Sequence, residues 1–254
     1  MELAIKEDNG FRYIEEGEGQ VLLLLHGLMG ALSNWETVVR EFSPRYKVII
    51  PMLPLYDMPI LTTGVKSLSK FLVKFIKYKK LDDVILIGNS LGGHVGLIYA
   101  IGNQDKLKAL VLTGSSGLYE NSFGGSFPRR ESYDFIKEKV EFTFFDPATA
   151  TKELVDDVFA TVNDRNRVIR ILAMAKSAIR HNMSKELYKI KIPVCLIWGK
   201  NDRITPPEVA IEFNATLPDS ELHWIDQCGH APMMERPAEF NAVLNQFLEK
   251  TAHR

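Results

Sequence analysis

Cysteine is scarce in this sequence, which has 254 residues but only Cys195 and Cys228. A chain of this length buries enough apolar surface to be stable without cross-links, so two cysteines predict no disulfide framework. Cys195 lies inside an apolar run and is expected to be a core residue. This scarcity excludes the class of small, disulfide-rich secreted domains.

An excess of charge of either sign is also missing. The 31 lysine and arginine residues stand against 32 aspartate and glutamate residues, which gives a formal net charge of −1. A protein without a strong overall electrostatic field is not expected to bind nucleic acid or an anionic membrane surface. The predicted partner is therefore a small molecule, and the oligomeric state is left open.

The first part of the sequence has no long hydrophobic run. The segment MELAIKEDNG is charged, and the apolar run that follows it, Val21–Leu25, is far too short to cross a bilayer. It is also too short for the apolar centre of a signal peptide. We therefore expect no membrane span and a cytoplasmic location.

Sequence signatures of phosphate and metal sites are missing as well. The glycine-rich segment GNSLGG lacks the lysine of a phosphate-binding loop, and no pair of histidines has the spacing of a zinc site. The sequence therefore predicts neither a metal ion nor a cofactor.

What the sequence does contain is an alternation of apolar strand patterns with helical patterns. The segment FRYIEEGEG followed by QVLLLLHG predicts a hairpin that leads into a buried strand. Further strands are predicted in YKVIIPML, VILIGNS, LKALVLTGSS, KIPVCLIWGK and SELHWIDQCG, and the apolar run VILI is expected to be buried on both faces. Because helical segments separate these strands, the predicted fold class is α/β, with a mostly parallel central sheet flanked by helices.

Between Leu118 and Lys189 the pattern changes to three consecutive helices without a strand. Helices cannot extend a sheet, so residues 118–189 are predicted to be a helical cap inserted in a core that comprises residues 1–117 and 190–254. The cap is expected to lie over the carboxyl ends of the strands, where ligands bind in open α/β sheets.

A single serine stands where the apolar run of VILIGNSLGG ends. Gly88 and Gly92 lie two positions on either side of Ser90 and permit close backbone contacts at a sharp strand-to-helix turn. A serine at such a turn lies near a helix N-terminus, whose N–H groups favour developing negative charge. Ser90 is therefore the candidate nucleophile.

A serine nucleophile needs a base within hydrogen-bond reach and a third group that orients the base. Among six histidines, His230 follows an apolar strand, on a loop expected at the same edge of the sheet as Ser90. His94 lies inside the helix after Ser90 and is expected to be a packed core residue. Asp202, in the loop after VCLIW, is the candidate acid. Asp226 is the weaker alternative, because it lies within or just beyond a strand.

Taken together, these segments resemble the α/β-hydrolase family over essentially the whole chain. HGLMG, GNSLGG, GKNDRITPP and GHAPMMERP occur in the family's order, with Ser90, Asp202 and His230 at its nucleophile, acid and base positions. The resemblance implies a Ser-His-Asp triad and an oxyanion hole formed by the backbone N–H groups of Leu91 and Leu28. The segment PMLPLYDMPI departs from the glycine-containing turn of many relatives, so the shape of the entrance is not carried over.

The predicted function is hydrolysis of a carboxylic ester or thioester through an acyl-enzyme on Ser90. Carbon–carbon bond hydrolysis and a cofactor-free perhydrolase or haloperoxidase-like reaction are alternatives that use the same triad. Carbon–carbon bond hydrolases of the family commonly have tryptophan after the catalytic histidine, where this chain has Ala231, so they rank below esterases. A ligand-binding receptor or pseudoenzyme on the same fold is the remaining class.

The substrate is expected to be small to medium in size and largely apolar, because buried ligand sites have mostly apolar linings. Apolar residues near HGLMG and in the cap segment are predicted to contact it: Met29, Phe123, Phe127, Phe144 and Phe145. Arg129 and Arg130 could contact a substrate carboxylate, although a solvated surface pair is the preferred interpretation.

Overall fold

The computed structural model describes residues 3–29, 35–120 and 129–253. The strands in these ranges are β1 Lys6–Asp8, β2 Phe11–Glu16, β3 Val21–Leu25, β4 Lys47–Pro51, β5 Val84–Asn89, β6 Leu107–Thr113, β7 Val194–Gly199 and β8 Ser220–Ile225. They form one sheet in the order β1-β2-β4-β3-β5-β6-β7-β8. From β4 to β8 across the sheet all neighbours are parallel, which confirms the predicted α/β class.

Helices follow most of the parallel strands. Those in the described ranges are α1 Glu36–Phe42, α2 Val65–Tyr78, α3 Leu91–Asn103, α4 Tyr133–Phe142, α5 Lys152–Asn163, α6 Arg165–Arg180, α7 Pro207–Thr216, α8 Pro232–Glu235 and α9 Pro237–Ala252. None of them combines the length and the apolar character that crossing a bilayer requires.

The central strands are buried on both faces, and their sequences are accordingly continuous apolar runs. Every residue of β5 and of β7 is buried. On one face the sheet packs against α2, α3 and α7 through side chains such as Leu72, Val95 and Phe213. On the other face it packs against α1 and α9 through Phe42 and Phe240. With both faces covered, a ligand site is left to the loops at the carboxyl ends of the strands.

FRYIEEGEG and QVLLLLHG do not pair with each other in the sheet. Strand β2 pairs antiparallel with β1 and with β4, and β3 lies on the other side of β4. The hairpin instead joins β1 to β2 through Asn9 and Gly10, whose φ angles of 49° and 76° suit a tight two-residue turn. The apolar strand β4 can pair along both of its edges, and it therefore separates β2 from β3.

Helices α4, α5 and α6 follow one another between β6 and β7, in the segment predicted to be a cap. Ser132, Thr151 and Asp164 cap their N-termini, because each side chain accepts a hydrogen bond from a first-turn backbone N–H. Val140 of α4 and Val158 of α5 are buried in the same apolar cluster as α1 and α9. The treatment of residues 118–189 as a cap domain stays a prediction.

Candidate active site

Ser90 occupies a strained turn between β5 and α3. Its φ of 53° and ψ of −119° are unusual for a residue with a side chain and cost about 1–3 kcal/mol. Glycine makes the turn possible: a Cβ atom on Gly92 would lie 2.2 Å from the carbonyl oxygen of Leu25, and one on Gly88 would lie 2.5 Å from the nitrogen of Gly93. The surrounding fold therefore holds Ser90 in a conformation that the chain would not adopt alone.

Hydrogen bonds fix both sides of this turn. The N–H of Ser90 donates to the carbonyl oxygen of Thr113 at 3.1 Å, and the N–H of Ser116 donates to the carbonyl oxygen of Ser90 at 3.1 Å. The side-chain amide of Asn89 donates to the carbonyl oxygens of Thr113, at 3.0 Å, and His230, at 3.2 Å. Asn89 thus ties the loop of His230 to the end of the strand that carries Ser90.

Asp202 and His230 form a buried pair at the ends of β7 and β8. Nδ1 of His230 lies 2.9 Å from Oδ2 of Asp202, and the Asp202 side chain is 0% exposed. The carboxylate also accepts hydrogen bonds from the N–H of Ile204 at 2.8 Å, the N–H of Thr205 at 2.9 Å and Oγ1 of Thr205 at 2.8 Å. These donors stabilise the charged carboxylate and fix its orientation toward the imidazole.

The electrostatics of His230 favour its protonated form. Burial alone would lower the pKa of this imidazole, but the charge and hydrogen bond of Asp202, with smaller effects of Glu120 and Glu235, raise it above its usual value of 6.5. The imidazole is therefore suited to accept a proton from a neighbouring hydroxyl and to hold it briefly.

Ser90 and His230 line one cavity, and Leu28 and Leu91 line it beside them. The loop that carries Leu28 lies against the nucleophile, since a Cβ atom on Gly27 would be 3.2 Å from the Cβ atom of Ser90. His26 supports this loop by accepting a hydrogen bond at Nε2 from the N–H of Leu53, at 3.2 Å. Burial lowers the pKa of His26, so this imidazole is kept neutral.

The predicted substrate-contacting residues do not all lie at the cavity. Met29 and Phe144 line it. Phe145 does not: the residue is 38% exposed, and its N–H donates to Oε2 of Glu235 at 2.7 Å. Phe123 and Phe127 lie outside the described residues.

The loop of His230 is hydrogen-bonded directly to the end of α4. The N–H of His230 donates to the carbonyl oxygen of Thr143 at 3.0 Å. Besides the N–H of Phe145, the Glu235 carboxylate accepts the N–H of Gly229 at 2.8 Å. The inserted helices and the histidine loop are therefore connected by one main-chain hydrogen bond and by the side chain of Glu235.

The polar residues Ser116 and Glu120 are not among those that the sequence predicts at the cavity. Glu120 and Ser116 both line it, and Oγ of Ser116 donates to Oε2 of Glu120. Burial raises the pKa of Glu120, whereas the Ser116 hydroxyl and the nearby His230 lower it. The effect of burial is the larger, so the pKa lies above its usual value. Thr205, which contacts Asp202, was also not singled out, although it lies within the GKNDRITPP motif.

Asp226, the weaker candidate for the acid, and His94, a histidine not expected to act as the base, do not line the cavity. Asp226 has a side chain that is 76% exposed, 3.6 Å from Nζ of Lys200. His94 is fully buried in α3, with Nε2 located 3.0 Å from Nδ1 of His181. His94 is thus a packed residue of the helix, as expected.

One cluster has residue types that bind metal ions: Cys195, Glu221 and His223 on β7 and β8. Glu221 already accepts a hydrogen bond from Nζ of Lys250 and lies 3.1 Å from Nε2 of His223. Burial raises the pKa of the Cys195 thiol, which disfavours the thiolate that a metal ion requires. The Glu221 carboxylate is thus already held by Lys250 and His223 within the fold.

Comparisons with known proteins agree with this architecture. The model of the Alpha/beta hydrolase family matches residues 22–243. The chain is 46% identical to MGS-MChE2, an alpha/beta hydrolase enzyme from the metagenome of sediments of the Mar Chica lagoon, Morocco. The superposition with its crystal structure covers 97% of this chain and 98% of that chain, with a TM-score of 0.81.

Two further relatives have more specific names. The chain is 30% identical to a 2-hydroxy-6-oxo-6-(2'-aminophenyl)hexa-2,4-dienoic acid hydrolase of Metapseudomonas resinovorans, over 95% of this chain and 88% of that protein. It is 26% identical to a 2-hydroxy-6-oxononadienedioate/2-hydroxy-6-oxononatrienedioate hydrolase of Comamonas testosteroni, over 92% of this chain and 89% of that protein. These relatives support a hydrolase.

Proposed function

Because the chain belongs to the alpha/beta hydrolase family, we propose that it hydrolyses uncharged carboxylic esters through an acyl-enzyme on Ser90. The observation that carries the proposal is the buried Asp202–His230 pair, which meets the strained Ser90 turn at one cavity. A nucleophile, a base and an oriented acid at one cavity are the parts that acyl transfer requires.

In the proposed mechanism, Nε2 of His230 takes the proton of the Ser90 hydroxyl while Oγ attacks the ester carbonyl carbon. Asp202 keeps Nδ1 protonated and stabilises the imidazolium that forms. The imidazolium then gives its proton to the departing alcohol, which leaves an acyl group on Ser90. Water repeats the sequence with His230 as base, and the carboxylic acid is released.

The negative charge of the tetrahedral intermediate develops on the former carbonyl oxygen. We assign its stabilisation to the backbone N–H groups of Leu28 and Leu91, both of which belong to residues that line the cavity beside Ser90. One such donor contributes about 3 kcal/mol in acyl-transfer enzymes. The N-terminus of α3, which begins at Leu91, adds the favourable end of a helix dipole.

The lining of the cavity favours an apolar, uncharged substrate. Most of its side chains are hydrophobic and come from α4, α5, α6, α8 and the loops: Val140, Phe144, Leu154, Val158, Ile179 and Met234 are examples. Among the described residues neither lysine nor arginine lines it, and Arg129 and Arg130 do not reach it. The sequences of segments 30–34 and 121–128 contain no lysine or arginine.

Hydrolysis of a carbon–carbon bond is the second candidate, and the names of the relatives favour it over ester cleavage. Their named substrates are 2-hydroxy-6-oxo dienoates, which contain no ester bond, so hydrolysis must break a carbon–carbon bond. Each of these substrates carries at least one carboxylate. The cavity, with neither lysine nor arginine in its described lining, favours the ester instead.

A direct comparison of the two substrate classes tests the proposal. The assay measures kcat/KM for 4-nitrophenyl esters from acetyl to decanoyl and for 2-hydroxy-6-oxo-6-phenylhexa-2,4-dienoate. We expect ester turnover that rises from acetyl toward medium acyl chains, by up to about fourfold for each methylene that the cavity buries, and that disappears in Ser90→Ala. Asp202→Asn should lose activity, whereas Asp226→Asn, the matched surface control, should retain it.

Turnover of the dienoate with little or no ester hydrolysis would replace this proposal with carbon–carbon bond hydrolysis. A steady decline of kcat/KM from acetyl onward would contradict the preference for a longer acyl group. Full ester activity in Ser90→Ala would exclude the acyl-enzyme.

A further inference from the structure

Glu120 is the one acidic side chain among the described residues that line the cavity, and the proposed mechanism does not use it. Its Oε2 accepts a hydrogen bond from Oγ of Ser116, and the N–H of Ser116 donates to the carbonyl oxygen of Ser90 at 3.1 Å. Through Ser116, the Glu120 carboxyl group is therefore fixed relative to the main chain of the nucleophile.

His230 is the one basic side chain near this group among the described residues that line the cavity. Neither lysine nor arginine lines the cavity in the described part of the chain, and His230 is already paired with Asp202 at 2.9 Å. Burial among mostly apolar side chains raises the pKa of Glu120, and the hydrogen bond from Ser116 and the nearby His230 oppose this rise. Above the raised pKa the group is a carboxylate, and its apolar surroundings weaken the screening of its charge by water.

A substrate carboxylate that entered this cavity would face Glu120 at short range. Two like charges about 6 Å apart, at an effective dielectric constant of about 20, lower binding by roughly 100-fold. An uncharged substrate of the same shape escapes this repulsion. An acid in a site without lysine or arginine therefore disfavours the binding of negatively charged substrates.

We propose that Glu120 is a specificity-determining residue, which excludes carboxylate-bearing substrates from the cavity and leaves uncharged ones. The inference rests on the proposed ester hydrolysis at Ser90 and narrows its substrate class. Glu120 takes no proton in the reaction, so its effect lies in the comparison of substrates rather than in the chemical step.

Two matched pairs of esters test this role. In the first pair, 4-carbamoylphenyl butyrate and 4-carboxyphenyl butyrate, the charge lies on the alcohol side. In the second pair, phenyl 5-carbamoylpentanoate and phenyl 5-carboxypentanoate, it lies on the acyl side. The measured quantity is the ratio of kcat/KM for the carboxamide to that for the carboxylate, in the wild type, Glu120→Gln and Asp226→Asn.

We expect a wild-type ratio on the order of 100 in at least one pair. Glu120→Gln, which keeps the shape and removes the charge, should lower that ratio at least tenfold, and Asp226→Asn should leave it unchanged. A ratio that is the same in the wild type and in Glu120→Gln for both pairs overturns the proposal, as does a wild type that prefers the carboxylate. Should Glu120→Gln not fold, Glu120→Ala replaces it in the same comparison.

A second readout separates this inference from the proposed function. An uncharged alkyl fluorophosphonate and its carboxylate-terminated analogue label a reactive serine without requiring ester turnover, and mass spectrometry gives both labelling rates at Ser90. If no ester is hydrolysed but the ratio of labelling rates falls in Glu120→Gln, the ester function fails and the role of Glu120 stands. If esters are hydrolysed but Glu120→Gln does not change the ratio of carboxamide to carboxylate turnover, the ester function stands and the proposed role of Glu120 fails.

Discussion

Acidification is expected to destabilise the protein through His94, which lies wholly buried in α3, four residues after Ser90. Its Nε2 lies 3.0 Å from Nδ1 of His181, and its Nδ1 has no hydrogen-bond partner among the described residues. Burial first, and then the neighbouring His181, lower the pKa of His94 to about 3. In the unfolded chain the same imidazole titrates near about pH 6.5.

The sign of the effect follows from these two pKa values. At pH values between the two, His94 binds a proton in the unfolded chain but not in the folded protein. The contribution of His94 to stability is therefore present above the unfolded pKa and is lost as the pH falls toward the folded pKa. At about pH 4.5 the loss amounts to about 2.7 kcal/mol, since one pKa unit corresponds to about 1.36 kcal/mol. In a chain of this size that lowers Tm by roughly 5–10 °C.

Thermal unfolding at about pH 7.5 and at about pH 4.5 measures this loss. In His94→Leu the fall in Tm between the two conditions should be smaller than in the wild type by roughly 5–10 °C. Any cost of the lost contact with His181 that does not depend on pH cancels in this difference. His253→Leu, which changes an exposed residue near the end of the chain, is the matched control. An equal fall in Tm for the wild type and His94→Leu would refute the reasoning.

Three further predictions concern the candidate site. Replacing Ser90 or His230 by alanine should each lower kcat by several orders of magnitude, and the double variant should lose little more; additive losses would show that the two do not act as one unit. Asp202→Asn removes the main influence that raises the pKa of His230, so the acid limb of the pH profile of kcat/KM should move to lower pH and kcat should fall about 10⁴-fold. An acid limb that does not move would show that it reports the titration of another group. Gly92→Ala would place a Cβ atom 2.2 Å from a backbone oxygen, whereas Gly102→Ala on the same helix meets nothing within 4 Å; calorimetry should show a large loss of Tm for the first only.

The parts of the site that could be predicted are those that a short stretch of sequence determines. Gly88 is required by close backbone contacts within the turn itself, with Gly92 and Gly93, and such a local requirement can be read from the motif. Gly92 instead lies against the main chain of Leu25, and the glycine pattern of the motif predicts it without showing that partner. Asp202 and His230 follow the apolar runs of β7 and β8, and parallel neighbouring strands bring their loops together.

The parts that could not be predicted depend on where an element ends or on distant partners. Phe144 and Phe145 are equivalent in sequence, yet only Phe144 points into the apolar interior, because α4 ends at Phe142 and Glu235 holds the N–H of Phe145. Glu120 lies in a loop whose sequence is typical of a solvated surface. Its place in the cavity depends on its contact with Ser116 and on the turn at Gly117, whose φ is 122°.

The hydrogen bonds between the end of α4 and the histidine loop have a consequence for building hybrid enzymes. On the side of the inserted helices all the atoms involved belong to the main chain, namely the carbonyl oxygen of Thr143 and the N–H of Phe145. A segment transplanted from a relative could therefore carry other side chains at positions 143 and 145 and still make these hydrogen bonds, provided that its buried apolar face is kept. A one-residue insertion between Phe142 and Thr143 would displace both groups, so the length of this connection limits which segments can be exchanged.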